Sequence, residues 1–196
     1  MGPPSGLSSA TCVTHLRNDG CPLQEGNGNQ VVNVNDMRVG LGFDSHRFVE
    51  GRPLVLGGVR IPFDKGLEGH SDADVLLHAV IDALLGAAAL PDIGEQFPDS
   101  DPSYRGVASA ALLERTLTLL GEAGFEPSNV DVVVIAERPK LSSHKEAMRA
   151  SIAALLGLDV NRVGVKAKTA EGMDAIGRGE GIACMAVASI RTVAAR

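Results

Sequence analysis

The sequence predicts an α+β fold: a single-domain α/β sandwich in which a mixed β-sheet carries helices on one face. Three observations predict it. From Met37 onward, short apolar runs of strand character alternate with longer runs of helical period. Their order is strands, helix, helix, strand, helix, strand, strand, which suits one mixed sheet covered on one side. The chain has 196 residues, 44% of them apolar, enough for one domain with a proper core and too few for two full-sized ones.

Residues 1–36 differ from the rest. They are rich in Gly, Asn, Ser and Pro, show neither strand nor helix period, and read as a flexible N-terminal extension before a catalytic domain at 37–196. Met37 reads as the natural start. An organelle transit peptide is the alternative, although Arg17 is the only Lys or Arg in that stretch.

Strand character begins at 37–43 and returns in "PLVLGGVRI" (53–61) as two short strands around a Gly pair. A helix follows over 72–90, where Ser71 and Asp74 resemble a capping box with a shortened acid. The next helix covers 103–123 and ends at Gly124. A strand at 130–137 leads to a helix at 143–156, opened by the box Ser143–Glu146 and closed by Gly157. Strands at 162–169 and 182–190 complete the chain.

Composition excludes some functions. With no Trp, one Tyr, five Phe and a net charge of −6, the chain lacks both the stacking rings and the basic stripe of a nucleic-acid binder. A small anionic substrate remains compatible, because local cations or a metal outweigh the global balance. Cys12, Cys21 and Cys184 form no disulfide framework, so a reducing compartment is expected. No apolar run approaches the roughly 20 residues of a membrane span, and the N-terminus lacks the pattern of a secretory signal. The expected location is cytoplasmic, or a plastid-type organelle if the extension is a transit peptide.

The chemistry starts at "FDSHRF". Asp44 and His46 are two apart, so on a strand both point to one face. On the following helix Asp74, His78 and Asp82 recur every four residues as a polar stripe among leucines. A solvated stripe is the plain explanation. Joined to Asp44 and His46, however, His78 completes a two-His, one-Asp set with an open fourth position, the pattern of catalytic zinc. His70, at the helix start, joins backbone N–H groups that favour an anion.

Three further stretches surround this set. "LPDIGEQFPDSDPSYRG" concentrates Asp92, Glu95, Asp99 and Asp101, suited to sugar hydroxyls or a harder cation, or simply to turns. "KAKTAEG" bunches Lys166, Lys168, Thr169 and Glu171 at a strand end, and "GRGEG" sets Arg178 between glycines. "AERPKLSSH", after an apolar strand, could read a base through main-chain groups.

The stretches "GFDSHRF", "GGVRIP", "HSDADVLLHAVIDALLGAAALPDIGEQFPDSD" and "GRGEGIA" together resemble the 2-C-methyl-D-erythritol 2,4-cyclodiphosphate synthase family of the non-mevalonate isoprenoid pathway. The similarity runs from about Met37 to the C-terminus. It implies an enzyme, a phosphorus–oxygen lyase. The implied substrate is 4-diphosphocytidyl-2-C-methyl-D-erythritol 2-phosphate, which is cyclised with release of CMP.

It also implies roles. Asp44, His46 and His78 would hold one Zn²⁺ per subunit, and His70 and Thr169 would stabilise the transition state. Glu171 would hold the Mg²⁺ or Mn²⁺ on the substrate diphosphate. Asp92, Ile93, Gly94, Phe97, Pro98, Asp99, Ser100 and Asp101 would line the methylerythritol pocket. Ala136, Pro139, Lys140, Leu141 and Ser142 would enclose the cytidine, and Ser71, Lys168 and Ala170 would also bind substrate. Arg178 would face a cavity on a threefold axis, since members are homotrimers with sites between subunits. This chain departs from the family at Lys168-Thr169-Ala170-Glu171, with a single hydroxyl, and at Asp174-Ala175. Ligand types alone would also suit a zinc phosphohydrolase or a non-catalytic ligand-binding trimer.

Overall fold

The computed structural model describes residues 37–193. The expected extension at 1–36, with Cys12 and Cys21, lies outside the described residues. Strand β1 (Met37–Glu50) is seven residues longer than the sequence suggested. It pairs antiparallel with β7 (Gly181–Thr192) from Met37↔Arg191 to Arg47↔Gly181. It then passes to β4 (Lys65–Leu67) through Phe48–Glu50. Asp44 and His46 therefore sit within a paired strand rather than at a strand end.

Strands β2 (Leu54–Leu56) and β3 (Val59–Ile61) form the expected hairpin, as a separate two-stranded sheet. Its turn residues Gly57 and Gly58 have φ of 61° and 74°, the left-handed pair that a tight hairpin needs. Helix α1 (Val75–Ala87) starts later than residue 72, and its N-cap is Asp74, not Ser71. The cause is tertiary. The Asp74 carboxylate accepts from Leu77 N (3.1 Å) and also from Gly57 N (2.8 Å) and Gly58 N (2.6 Å) of the hairpin.

The acidic loop contains a short helix α2 (Ile93–Gln96) and a 3₁₀ turn at Pro102–Tyr104. The helix expected from 103 begins only at α3 (Ser109–Glu122), because Gly106 breaks the backbone at φ 73°. Strand β5 (Phe125–Ile135) follows, then α4 (Lys145–Leu156), β6 (Val163–Lys168) and α5 (Asp174–Gly177). The Ser143–Glu146 capping box does not form; His144 occupies the N-cap without a side-chain bond, whereas Gly157 closes α4 at φ 65° as expected.

The sheet order is β4-β1-β7-β5-β6, antiparallel except for β5 and β6, which run parallel across the α4 connection. Helix α1 lies directly on β1 and β7. Glycine permits the approach: a Cβ on Gly42 would fall 2.0 Å from Ala79 O, and one on Gly40 2.1 Å from Ala83 O. Side chains alternate along β1, so Gly40, Gly42, Asp44 and His46 face the helices.

The aliphatic core sits between the layers, with Leu76, Leu77, Ile81, Leu84 and Leu85 of α1 against Ile182, Cys184, Ala186 and Ile190 of β7 and Val132 and Val134 of β5. Cys184 is buried and free, and burial pushes its thiol far up. The opposite sheet face is apolar and open: Val39 and Leu41 are each 62% exposed and Phe43 57%, beside Met185 and Val187. No helix among the described residues is long and apolar enough to cross a membrane.

Candidate metal centre and substrate clefts

Because Gly42 lets α1 close on β1, His78 reaches the residues projecting from the strand. Its Nδ1 lies 2.9 Å from Asp44 Oδ2 and 3.2 Å from His46 Nε2, and His46 Nε2 lies 2.9 Å from the same Asp44 oxygen. Among the described residues this is the one group of three His, Cys, Asp or Glu side chains able to hold a metal ion. The donor set fits zinc. Two imidazole nitrogens and a carboxylate oxygen at the usual bond lengths would be about 3.3 Å apart around a tetrahedral ion, close to the spacing present here.

Electrostatics agree. Burial alone would raise the Asp44 carboxyl, but hydrogen bonds and charge from His46 and His78 outweigh it and hold it well below the carboxylate range. Burial opposes a charged His46, yet its bond to Asp44 prevails and raises it. The polar stripe on α1 divides into three different roles. Asp74 is fully buried as a helix cap. His78 faces Asp44 and His46. Asp82 accepts from Ile93 N at 2.8 Å, tying α2 to α1, and burial raises its carboxyl.

The triad opens into a cleft of about 320 Å³, also bordered by His70, Ser71, Ile93, Gly94, Phe97, Pro98 and Asp99. His70 Nδ1 pairs with Asp99 Oδ2 at 3.1 Å. Two expected pocket acids do turn chemistry: Asp92 caps α2 through Glu95 N (2.9 Å), and Asp101 caps the next turn through Ser103 N (2.9 Å). Neither they nor Ser100 line the cleft.

A second cleft, of about 230 Å³, lies between the loops that follow β5 and β6. It gathers Ala136, Pro139, Lys140, Leu141, Ser142, Lys168 and Thr169 and shares no residue with the first. Ile135 and Lys168 are paired in the parallel register, so both loops leave the same end of the sheet. Thr169 Oγ1 donates to Glu171 Oε1, and Glu171 takes a left-handed φ of 52°. Arg178 lines neither cleft and pairs with Glu180 at 2.6 Å, which raises its guanidinium further.

Several contributors carry no signal in the sequence. Arg52 donates to the carbonyls of Gly69 (2.5 Å) and Ser71, bracing the segment that carries His70. Glu137 Oε1 accepts from Ala170 N (3.0 Å) and Gly172 N (3.1 Å), fixing the turn around Glu171. Ser109 Oγ lies 2.9 Å from His78 Nε2 although 31 residues separate them in sequence.

A family model described as the YgbB family matches residues 37–191. The chain belongs to the YgbB family. Its relatives include a protein of Desulfosudis oleivorans named 2-C-methyl-D-erythritol 2,4-cyclodiphosphate synthase, 59% identical over 154 residues, which are 79% of this chain and 92% of that one. Among solved structures, this YgbB-family chain is similar to the bifunctional IspDF of Campylobacter jejuni at 45% identity and a TM-score of 0.78, over 81% of this chain. It spans only 43% of that bifunctional chain. A 2C-methyl-D-erythritol-2,4-cyclodiphosphate synthase solved in its CDP-bound form aligns at 40% identity and a TM-score of 0.73, covering 78% of this chain and 99% of that one. These likenesses bear out the mixed sheet with helices and the family that the sequence motifs suggested.

Proposed function

We propose that this chain converts 4-diphosphocytidyl-2-C-methyl-D-erythritol 2-phosphate into 2-C-methyl-D-erythritol 2,4-cyclodiphosphate and CMP. The observation that carries the reading is the convergence of Asp44, His46 and His78 within 2.9–3.2 Å at the head of a cleft, in a YgbB-family chain. An oxygen of the substrate's 2-phosphate bonds to the β-phosphorus. The bond from that phosphorus to the bridging oxygen breaks, and the electron pair leaves with CMP. The nucleophile is already an anion, so no protein nucleophile or strong base is needed. The protein's task is alignment and charge neutralisation.

Asp44, His46 and His78 would hold the zinc ion, which when bound acts as a Lewis acid toward a phosphate oxygen. His70 and Thr169 bind the reacting phosphates. Glu171 presents an exposed carboxylate that would hold a Mg²⁺ or Mn²⁺ ion, which when bound would neutralise charge on the substrate diphosphate. Ile93, Gly94, Phe97 and Asp99 hold the methylerythritol, and Ala136 to Ser142 hold the cytidine. Arg178 serves a trimer-axis cavity.

The two assigned catalytic residues, His70 and Thr169, border different clefts of one chain. This supports a homotrimer in which the cytidine cleft of one subunit faces the metal cleft of its neighbour. The open apolar sheet face supports the same assembly. In this reading residues 37–196 are the catalytic domain and residues 1–36 are dispensable for it.

Phosphorus NMR of the cytidyl substrate incubated with the protein, Zn²⁺ and Mg²⁺ tests the reaction. The expected products are the cyclic diphosphate and CMP. Linear phosphates would show water reaching the β-phosphorus and would replace this reading by hydrolysis.

A further inference from the structure

Beyond the metal-facing side chains, His78 has a second set of partners. Its Nε2 lies 2.9 Å from Ser109 Oγ and 3.2 Å from Ser71 Oγ. Ser109 is fully buried at the first turn of α3. Its hydroxyl lies 2.5 Å from Asp72 Oδ1, and its backbone N–H donates to that same oxygen at 3.1 Å. Ser71 Oγ accepts from Ala73 N at 3.0 Å and lies 3.4 Å from Ser109 Oγ.

Donors and acceptors can be assigned by elimination. A carboxylate only accepts, so the Ser109 hydroxyl proton points to Asp72. The Ser109 oxygen then offers lone pairs to His78, and Nε2–H must be the donor. An imidazole whose Nε2 keeps its proton in this bond could ligate a metal only through Nδ1, the nitrogen that faces Asp44 and His46.

We infer that Ser109, anchored by Asp72, is a positioning residue that fixes the ring orientation and ligating nitrogen of His78. The inference rests on the metal reading of the triad. It joins helix α3 to the metal centre through hydrogen bonds alone, and it gives the buried serine hydroxyl a task. Partners of this kind on ligating histidines typically change metal affinity 10–100-fold when removed.

Ser109→Ala separates this role from helix capping, because the main-chain N–H at position 109 would still donate to Asp72 while the hydroxyl is lost. Co²⁺ affinity, measured by competition with a chromophoric chelator on the full chain, should fall about 10–100-fold. Asp72→Asn retains an acceptor for the serine hydroxyl and should fall between wild type and Ser109→Ala. In the zinc-loaded wild type, the His78 Nε2–H resonance should be downfield and slow to exchange; in Ser109→Ala it should exchange rapidly.

Wild-type Co²⁺ affinity in Ser109→Ala, with the resonance still protected, would overturn the inference. His78→Ala is the control for the metal reading. Equal Co²⁺ uptake by wild type and His78→Ala would defeat that reading, and the relay would then stand or fall on the Nε2–H resonance alone: protected in wild type and lost in Ser109→Ala, or already unprotected in wild type.

Discussion

The carboxylate of Asp74 is fully buried and surrounded by three backbone N–H donors, from Gly57, Gly58 and Leu77. Burial pushes its pKa up from 3.8 to about 6, and those donors offset only part of the effect. The native state therefore holds this proton more tightly than the unfolded chain. Stability from this group is present below about pH 4 and is lost as pH rises toward 6, by up to roughly 3 kcal/mol. Asp74→Asn removes that slope. Urea unfolding of metal-free wild type and variant at pH 4, 5, 6 and 7 should show the wild type losing ground to the variant as pH rises; parallel curves would refute the assignment. At this scale the sequence was half legible. The spacing of Asp74, His78 and Asp82 marked one helix face, but not that each carboxylate bonds something different. Those partners lie in the hairpin and in α2, chosen by tertiary contact rather than by neighbouring residues.

Secondary elements bring the proposed metal ligands Asp44, His46 and His78 within 2.9–3.2 Å of one another, and glycine decides how. Gly42→Ala would drive a methyl group to 2.0 Å from Ala79 O, one residue past His78. We expect a loss of about 3 kcal/mol or more and weakened Co²⁺ uptake, read by urea midpoint and metal titration. Gly121→Ala in α3 meets nothing within 4 Å and should be neutral or stabilising by up to about 1 kcal/mol. The loop at Ala170–Gly172 depends on the Glu137 carboxylate. Glu137→Ala should raise the Mg²⁺ concentration for half-maximal turnover roughly tenfold, with Glu137→Gln, which keeps an acceptor, close to wild type. Elements whose signal is local were readable in advance: the Gly57-Gly58 turn, the Gly157 cap, the apolar runs. The start of α1 and the failed Ser143–Glu146 box were not, because long-range bonds or their absence overruled short-range preference. Ser109 and His78, 31 residues apart, show the same limit for the site.

For the whole molecule, the open face of the sheet makes the strongest demand. Val39, Leu41 and Phe43 form an exposed apolar row on β1 that a lone subunit would leave in water. On the proposed shared-site assembly, Leu41→Asp should yield monomers in sedimentation velocity that retain the proposed metal site but lose turnover, because each would lack the cytidine cleft assigned to its neighbour. Turnover by such monomers would end the shared-site reading. Strand order has a further consequence, one of timing. The partner along most of β1 is β7, from Arg47↔Gly181 back to Met37↔Arg191, and among the described strands β7 is the last to be synthesised. At ordinary synthesis rates β1 waits roughly ten seconds for it. Through that interval the segment of β1 bearing Asp44 and His46 is a nascent, unpaired edge with an apolar row, so the strand beneath the proposed metal centre gains its sheet partner only once β7 has been made.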